Sequence, residues 1–348
     1  MKTGRNRWGL GAAIFAAFVL MTAVACGHGD AGHAAASNQV ASAPANSTAQ
    51  AAAMTPLLAQ EDQAPPASQT GGFDGQKAYD FTAKLVAFGP RPPASDAIHR
   101  TQDYISSELK GFGCKVDTDD FHASTAIGEL AMKNIIAKVP GTGQGIILLL
   151  THYDTVRIPD FVGADDAGSS SGLMLEMARV LCGQKENGPN AVWIAFLDGE
   201  EAQEVVNGVA QWNDSDSLFG SRELAARMDL SGELKRVKAV MLADMLGAKN
   251  LVVQQDPGST AWLNTLVWKT AARLGYTKEF VAKSDGGVED DHTPFLKRGI
   301  PAVDITQFPN YPYWHTTGDT MDKLTPKSLA ISGHVFLATI GELQQKFH

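Results

Sequence analysis

The sequence predicts an α/β domain whose central sheet is mainly parallel and carries helices on both faces. Three observations predict it. Short apolar runs recur at residues 146–150, 192–197, 237–242 and 302–305, which suits strands buried on both faces. Between them lie stretches with helical apolar spacing. Strand and helix therefore alternate, the order that builds parallel pairing through helical crossovers.

The first 72 of the 348 residues stand apart from that pattern. Lys2, Arg5 and Arg7 precede an apolar run over residues 10–25. That run is short of the ~20 residues needed to span a bilayer and fits the core of a secretory signal peptide. It ends Ala23-Val24-Ala25-Cys26-Gly27, which resembles a bacterial lipobox, with Cys26 as the lipidated first residue of the mature chain. Residues 1–25 are thus expected to be a signal peptide of lipoprotein type. The rest of the chain is expected outside the cytoplasm, in the periplasm or cell envelope, with the membrane touched only through a lipid anchor. Residues 26–72 are rich in Ala, Ser, Pro and Gln, and from Gly27 onward hold no Lys, Arg or aromatic residue. They should form a disordered tether. The folded domain is expected over residues 73–348.

Within that domain, residues 74–88 and 95–112 read as helices, with helical apolar spacing at Tyr79, Leu85 and Val86 in the first and at Ile98, Tyr104, Ile105 and Leu109 in the second. Helices are also expected at 171–181, 221–228, 260–274 and 329–347. Composition bounds the class: 44% hydrophobic and 19% charged residues exclude wholesale disorder and a polytopic membrane protein. A net charge of −9 disfavours nucleic acid or an anionic lipid face as partner. Three cysteines exclude a disulfide-dense scaffold. Cys114 and Cys182 either pair or remain buried thiols, and the sequence leaves both open.

The informative residues follow the apolar runs. The first leads into Thr151-His152-Tyr153-Asp154, the second into Asp198-Gly199-Glu200-Glu201, and the third into Asp244. Ligands of open α/β sheets bind beyond the carboxyl ends of the strands, so these side chains should converge. Asp165-Asp166 before a helix and Trp314-His315 in a turn-rich loop add further donors. Imidazoles with carboxylates suit a divalent first-row metal, zinc by default. Singly, an Asp at a strand end is a turn-former and a Glu pair a helix start. Jointly they point to a metal centre. Gly168-Ser169-Ser170-Ser171-Gly172 matches the G-x-S-x-G of serine hydrolases, but no strand ends just before it. The Ser-Gly run better suits close packing at a helix start.

These residues resemble the metal site of the zinc aminopeptidase superfamily and, within it, the animal-type glutaminyl cyclases. The similarity runs from Phe88-Gly89-Pro90-Arg91-Pro92 to the C-terminus. It includes Phe161-Val162-Gly163-Ala164-x-Asp166, Asp198-Gly199-Glu200-Glu201-Ala202, the stretch Asp216-Ser217-Leu218-Phe219-Gly220-Ser221-Arg222, Asp290-Asp291-His292 and Trp314-His315-Thr316. The resemblance implies a mixed, mainly parallel sheet and one catalytic zinc on Asp166, Glu201 and His315. It implies Glu200 as general acid/base, Asp244 and Asp290 in the hydrogen-bond network, and Trp314 lining the substrate pocket. In the two-metal aminopeptidases His152 and Asp244 match ligands of a second ion, so two metals and an aminopeptidase activity are the alternative. A catalytically inert binding domain is disfavoured because every ligand is kept. Three departures from the animal pattern stand out: Asp304 in place of a His, Thr151 and Ser171 in place of a cysteine pair, and a longer segment from Gln203 to Trp212.

Overall fold

Ile147, Leu149 and Ile194 belong to one apolar core and Leu148, Leu150 and Trp193 to a second, because successive side chains of a buried strand alternate between sheet faces. The computed structural model describes residues 59–184, 188–284 and 286–348. The expected signal peptide and Cys26 lie outside the described residues, as does most of the expected tether.

In chain order the elements are helices α1 (Gly75–Val86) and α2 (Asp96–Gly111), and strands β1 (Lys115–Thr125), β2 (Gly128–Val139) and β3 (Ile146–His152). Helix α3 (Ser170–Cys182), strand β4 (Ala191–Leu197), the short strands β5 (Val205–Val206) and β6 (Val209–Ala210) and helix α4 (Phe219–Leu230) follow. The rest comprises β7 (Val237–Asp244), β8 (Val253–Gln254), α5 (Ala261–Arg273), β9 (Phe280–Val281), α6 (Thr293–Leu296), β10 (Ala302–Thr306) and α7 (Pro326–Lys346). Side-chain caps fix helix starts: the Asp74 carboxylate accepts from the amides of Gln76 and Lys77, Ser95 from Ile98, and Thr325 from Ser328.

The main sheet has the order β1-β2-β4-β3-β7-β10. β4, β3, β7 and β10 run parallel, while β1 and β2 are antiparallel. The register aligns His152 with Leu197, and Thr306 with Asp244, so these strands end at a common edge. β3 is followed by β4 on one side and β7 on the other, which makes its carboxyl end the topological switch point. Helices α1, α3 and α7 cover one face, where Gly172 permits α3 to cross α1. A Cβ there would lie 2.1 Å from Thr82 Oγ1 and 2.6 Å from the Ala78 carbonyl oxygen.

The structure adds elements that the sequence reading did not contain. The β1–β2 hairpin was not expected: β1 is a largely exposed edge strand, so it lacks the apolar run that marks the inner strands. The ordered body also begins before Phe73. Residues 60–62 and 67–69 form 3-10 turns, Thr70 is fully buried with Oγ1 donating to the Phe73 carbonyl at 2.5 Å, and Asp62 faces Lys249 at 3.8 Å. Cys114 and Cys182 form a disulfide between the start of β1 and the end of α3. Among the described residues no helix is long and apolar enough to cross a membrane.

Candidate active site

Each expected site residue sits just past a strand end or in a loop folded over the same edge. His152 closes β3, Glu200 and Glu201 follow β4, and Asp244 closes β7. Asp166 lies in the irregular turn Ala164–Ser169 that precedes α3. His315 sits after β10 with a positive φ of 52°, an uncommon conformation for a residue with a side chain.

The geometry draws these side chains into two groups of possible ligand atoms that share Asp166. In one, His315 Nε2 lies 3.1 Å from Glu201 Oε2 and 3.5 Å from Asp166 Oδ2. In the other, His152 Nε2 lies 3.1 Å from Asp244 Oδ1 and 3.3 Å from Asp166 Oδ1. Within each group the ligand atoms lie within 4.8 Å of one another. Buried Glu201 Oε1 has no hydrogen-bond partner in the protein, a costly state, and His152 Nδ1 faces Asp154 Oδ1 at 3.5 Å, which turns Nε2 toward Asp166 and Asp244. A nitrogen and two carboxylates, buried and converging, are the donor chemistry zinc takes, so the residues fit the ion.

Burial dominates the site's electrostatics. It pushes Glu200 well above the usual carboxylate range, with help from Asp290, Glu201 and Asp291 and against His152. Asp290 is pushed up to about 7 by burial and by Asp244. For Asp166 the bond and charge of His152, with His315 and Arg91, overcome burial and hold it below the ordinary range. Burial pulls His315 down, but Glu201 and Asp166 carry it to about 9. The arrangement separates a candidate ligand with lowered proton affinity, Asp166, from a carboxyl with raised proton affinity, Glu200. That separation is what an acid/base shuttle beside a metal needs.

Asp166, Glu200, Glu201, Asp244, Asp290, Trp314 and His315 line one cavity of about 360 Å3. Met245, Val288 and Phe308 add apolar wall, and Ala210 and Trp212 form part of the rim. The structure thus brings together every site residue the sequence singled out.

It also gives supporting roles to residues around them. Asp154 accepts from the backbone amides of Glu200 (3.2 Å) and Glu201 (3.4 Å). Asp319 accepts from those of Asp165 (2.9 Å) and Asp166 (3.1 Å). Arg91, fully buried, donates to the carbonyls of Tyr153, Val162 and Gly163. Asp154 was visible as the acid two residues after His152, and Arg91 within Phe88–Pro92; nothing marked Asp319. Trp212 follows a two-stranded hairpin, β5–β6, turned at Asn207-Gly208, the dipeptide suited to a tight turn with positive φ at both positions.

The departures have local explanations. Thr151 and Ser171 both donate to the His152 carbonyl, at 3.2 and 2.7 Å, and the Ser171 bond anchors α3 to β3. Asp304 is fully buried, neither carboxyl oxygen has a partner, and burial with Asp290 pushes it well up. Both effects favour its neutral form. The serine motif is structural: Ser169 and Ser170 donate to the carbonyls of Asp165 and Ala167, and all three serines are buried.

The chain is also similar to known proteins over most of its described length. The profile of peptidase family M28 matches residues 134–340. The glutaminyl-peptide cyclotransferase-like protein of Mus musculus is 30% identical over 303 residues, covering 79% of this chain and 77% of the mouse protein. The crystal structure of an Acidobacteriales bacterium glutaminyl cyclase is 38% identical, with a TM-score of 0.73 over 79% of this chain and 96% of that one. A Zn-dependent exopeptidase from Parabacteroides distasonis is 29% identical, with a TM-score of 0.71 over 77% of this chain and 98% of that one.

Proposed function

The chain belongs to peptidase family M28, and from that premise we propose that it is a zinc-dependent glutaminyl-peptide cyclotransferase. It converts the N-terminal Gln of peptides and proteins to pyroglutamate and releases ammonia. The observation that carries this reading is the buried Asp166–Glu201–His315 donor set, with Glu200 beside it and Trp314 at the cavity mouth. One zinc is expected on those three residues, where it supplies Lewis acidity toward the substrate γ-amide.

The protein's own residues do the rest. Glu200 takes a proton from the substrate α-amine as the amine nitrogen bonds to the γ-amide carbon. It returns a proton to the amide nitrogen as that carbon–nitrogen bond breaks, so ammonia leaves and a five-membered lactam remains. Asp244 and Asp290 hold the amine and leaving nitrogen by hydrogen bonds. Trp314 packs against the Gln methylenes.

A second reading, a zinc aminopeptidase of the same fold, is favoured by the His152–Asp166–Asp244 group, which is ready for a second ion. The same proposal takes residues 1–25 as a lipoprotein-type signal peptide and Cys26 as the lipid-bearing residue, with the catalytic body in the periplasm or cell envelope. Loss of membrane association on Cys26→Ser tests that part.

The decisive experiment counts metal on purified protein while measuring ammonia release from Gln-peptides and hydrolysis of Leu-p-nitroanilide. Ammonia release with little anilide hydrolysis supports the cyclase. Efficient anilide hydrolysis with two metals and no ammonia hands the case to the aminopeptidase.

A further inference from the structure

Asp166 must present its two oxygens in different directions, Oδ1 toward His152 and Oδ2 toward His315. Its side chain has only two torsions, so where its backbone sits decides whether both directions are met at once. That backbone is held from outside the donor set. Asp319 takes the consecutive amides of Asp165 and Asp166 on its two carboxylate oxygens, and its own carbonyl accepts from Ala164 at 3.3 Å. The Tyr311 hydroxyl donates to Asp319 Oδ1 at 2.6 Å. On the other side, Arg91 donates to the Val162 and Gly163 carbonyls at 2.7 and 3.1 Å. Gly163 itself turns with φ 52°, and a Cβ there would lie 2.0 Å from the Asp166 carbonyl oxygen.

We propose that Asp319 is a positioning residue for Asp166, with Arg91 steadying the same segment from its carbonyl side. Asp319 stands four residues after His315. One loop therefore supplies one ligand and sets the backbone of another, fixing the separation of Asp166 from His315 through a short, hydrogen-bonded path. Partners of this kind, behind the ligands, typically govern metal affinity by 10–100-fold. The inference rests on the reading of Asp166 as a metal ligand.

The test compares wild type with Asp319→Asn and Tyr311→Phe. Asn keeps the size but offers one acceptor oxygen where two amides need accepting. Three quantities are read: the melting of the metal-free protein, zinc affinity by chelator competition, and the visible spectrum of the cobalt-substituted protein. The expected result for Asp319→Asn is a cooperative melt, zinc affinity lower by 10–100-fold and an altered cobalt spectrum. Tyr311→Phe should weaken zinc in the same direction by a smaller factor. Zinc affinity in Asp319→Asn within about twofold of wild type, with an unchanged cobalt spectrum, overturns the proposal. If Asp319→Asn does not fold, unchanged affinity and spectrum in Tyr311→Phe overturn it instead. A wild-type chain that binds no zinc defeats the metal reading itself, whereas normal wild-type binding beside an unaffected variant defeats only this inference.

Discussion

The Trp314 indole stacks on the His315 imidazole, with ring centroids 4.0 Å apart and planes inclined by 21°. Phe308 meets the indole edge-on at 5.0 Å. One face of Trp314 is therefore spent on a candidate ligand, while 42% of the residue stays exposed at the cavity mouth. Trp314→Ala should raise KM for Gln-peptides about tenfold, the effect of losing ~1.4 kcal/mol of aromatic contact. Zinc should stay bound and kcat should change less. Steady-state kinetics with metal analysis checks this; loss of zinc would mean that the stack is essential to His315 as a ligand.

Glu200 is not in the Asp166–Glu201–His315 donor group, yet it lines the same cavity and burial raises its proton affinity. Glu200→Gln should leave fold and zinc content intact and lower turnover by orders of magnitude, ~10²–10⁴-fold for a lost acid/base. A variant with near-normal kcat would remove Glu200 from that role.

Glu201 differs from its neighbour by one position and by its job. Its Oε2 faces His315, and its Oε1 is buried without a partner. Glu201→Gln should lose zinc first and activity as a consequence. Stoichiometric zinc in this variant, read by elemental analysis, would take Glu201 out of the ligand set.

The metal-free protein should become less stable as pH rises from about 5 to 8. Asp290, ordinarily near 3.8, is pushed up to about 7 by burial and Asp244, and Asp198 up to about 8 by burial and Asp154. A folded pKa above the unfolded one means that the folded state binds the extra proton. Its stabilisation is full below the unfolded value and is lost as pH climbs through the folded one. Melts of chelator-treated protein across this range measure it. Asp290→Asn should flatten the slope, and a Tm that rises with pH would contradict the assignment.

The sheet was legible because β3, β4 and β7 are buried on both faces and their sequences are almost purely apolar. Residues directly after such runs inherit a fixed place at the sheet edge, so His152, Glu200, Glu201 and Asp244 could be grouped before any coordinates. Asp166 and His315 could be added as donors, but their grouping with Glu201 as one ligand set came from the family resemblance, because a loop residue's place depends on how the loop folds. Asp319 escaped because it acts by accepting backbone amides, and a backbone amide leaves no mark on residue type. Trp212 reaches the rim only through the Asn207-Gly208 turn, and β1 is too polar to announce itself. The closed Cys114–Cys182 bond was undecidable for a different reason: two thiols 68 residues apart meet only once α3 packs beside β1.

That bond ties the protein's persistence to its chemical surroundings. Joining positions 68 residues apart removes chain freedom from the unfolded state worth about 4 kcal/mol in the loop-entropy picture. Such a bond survives in oxidising surroundings and opens where thiol reductants prevail. The same polypeptide made in a reducing cytoplasm would carry an identical metal site on a body that opens more often and falls to proteases sooner. Working lifetime would then be set by where the chain matures, while the reacting residues stay unchanged.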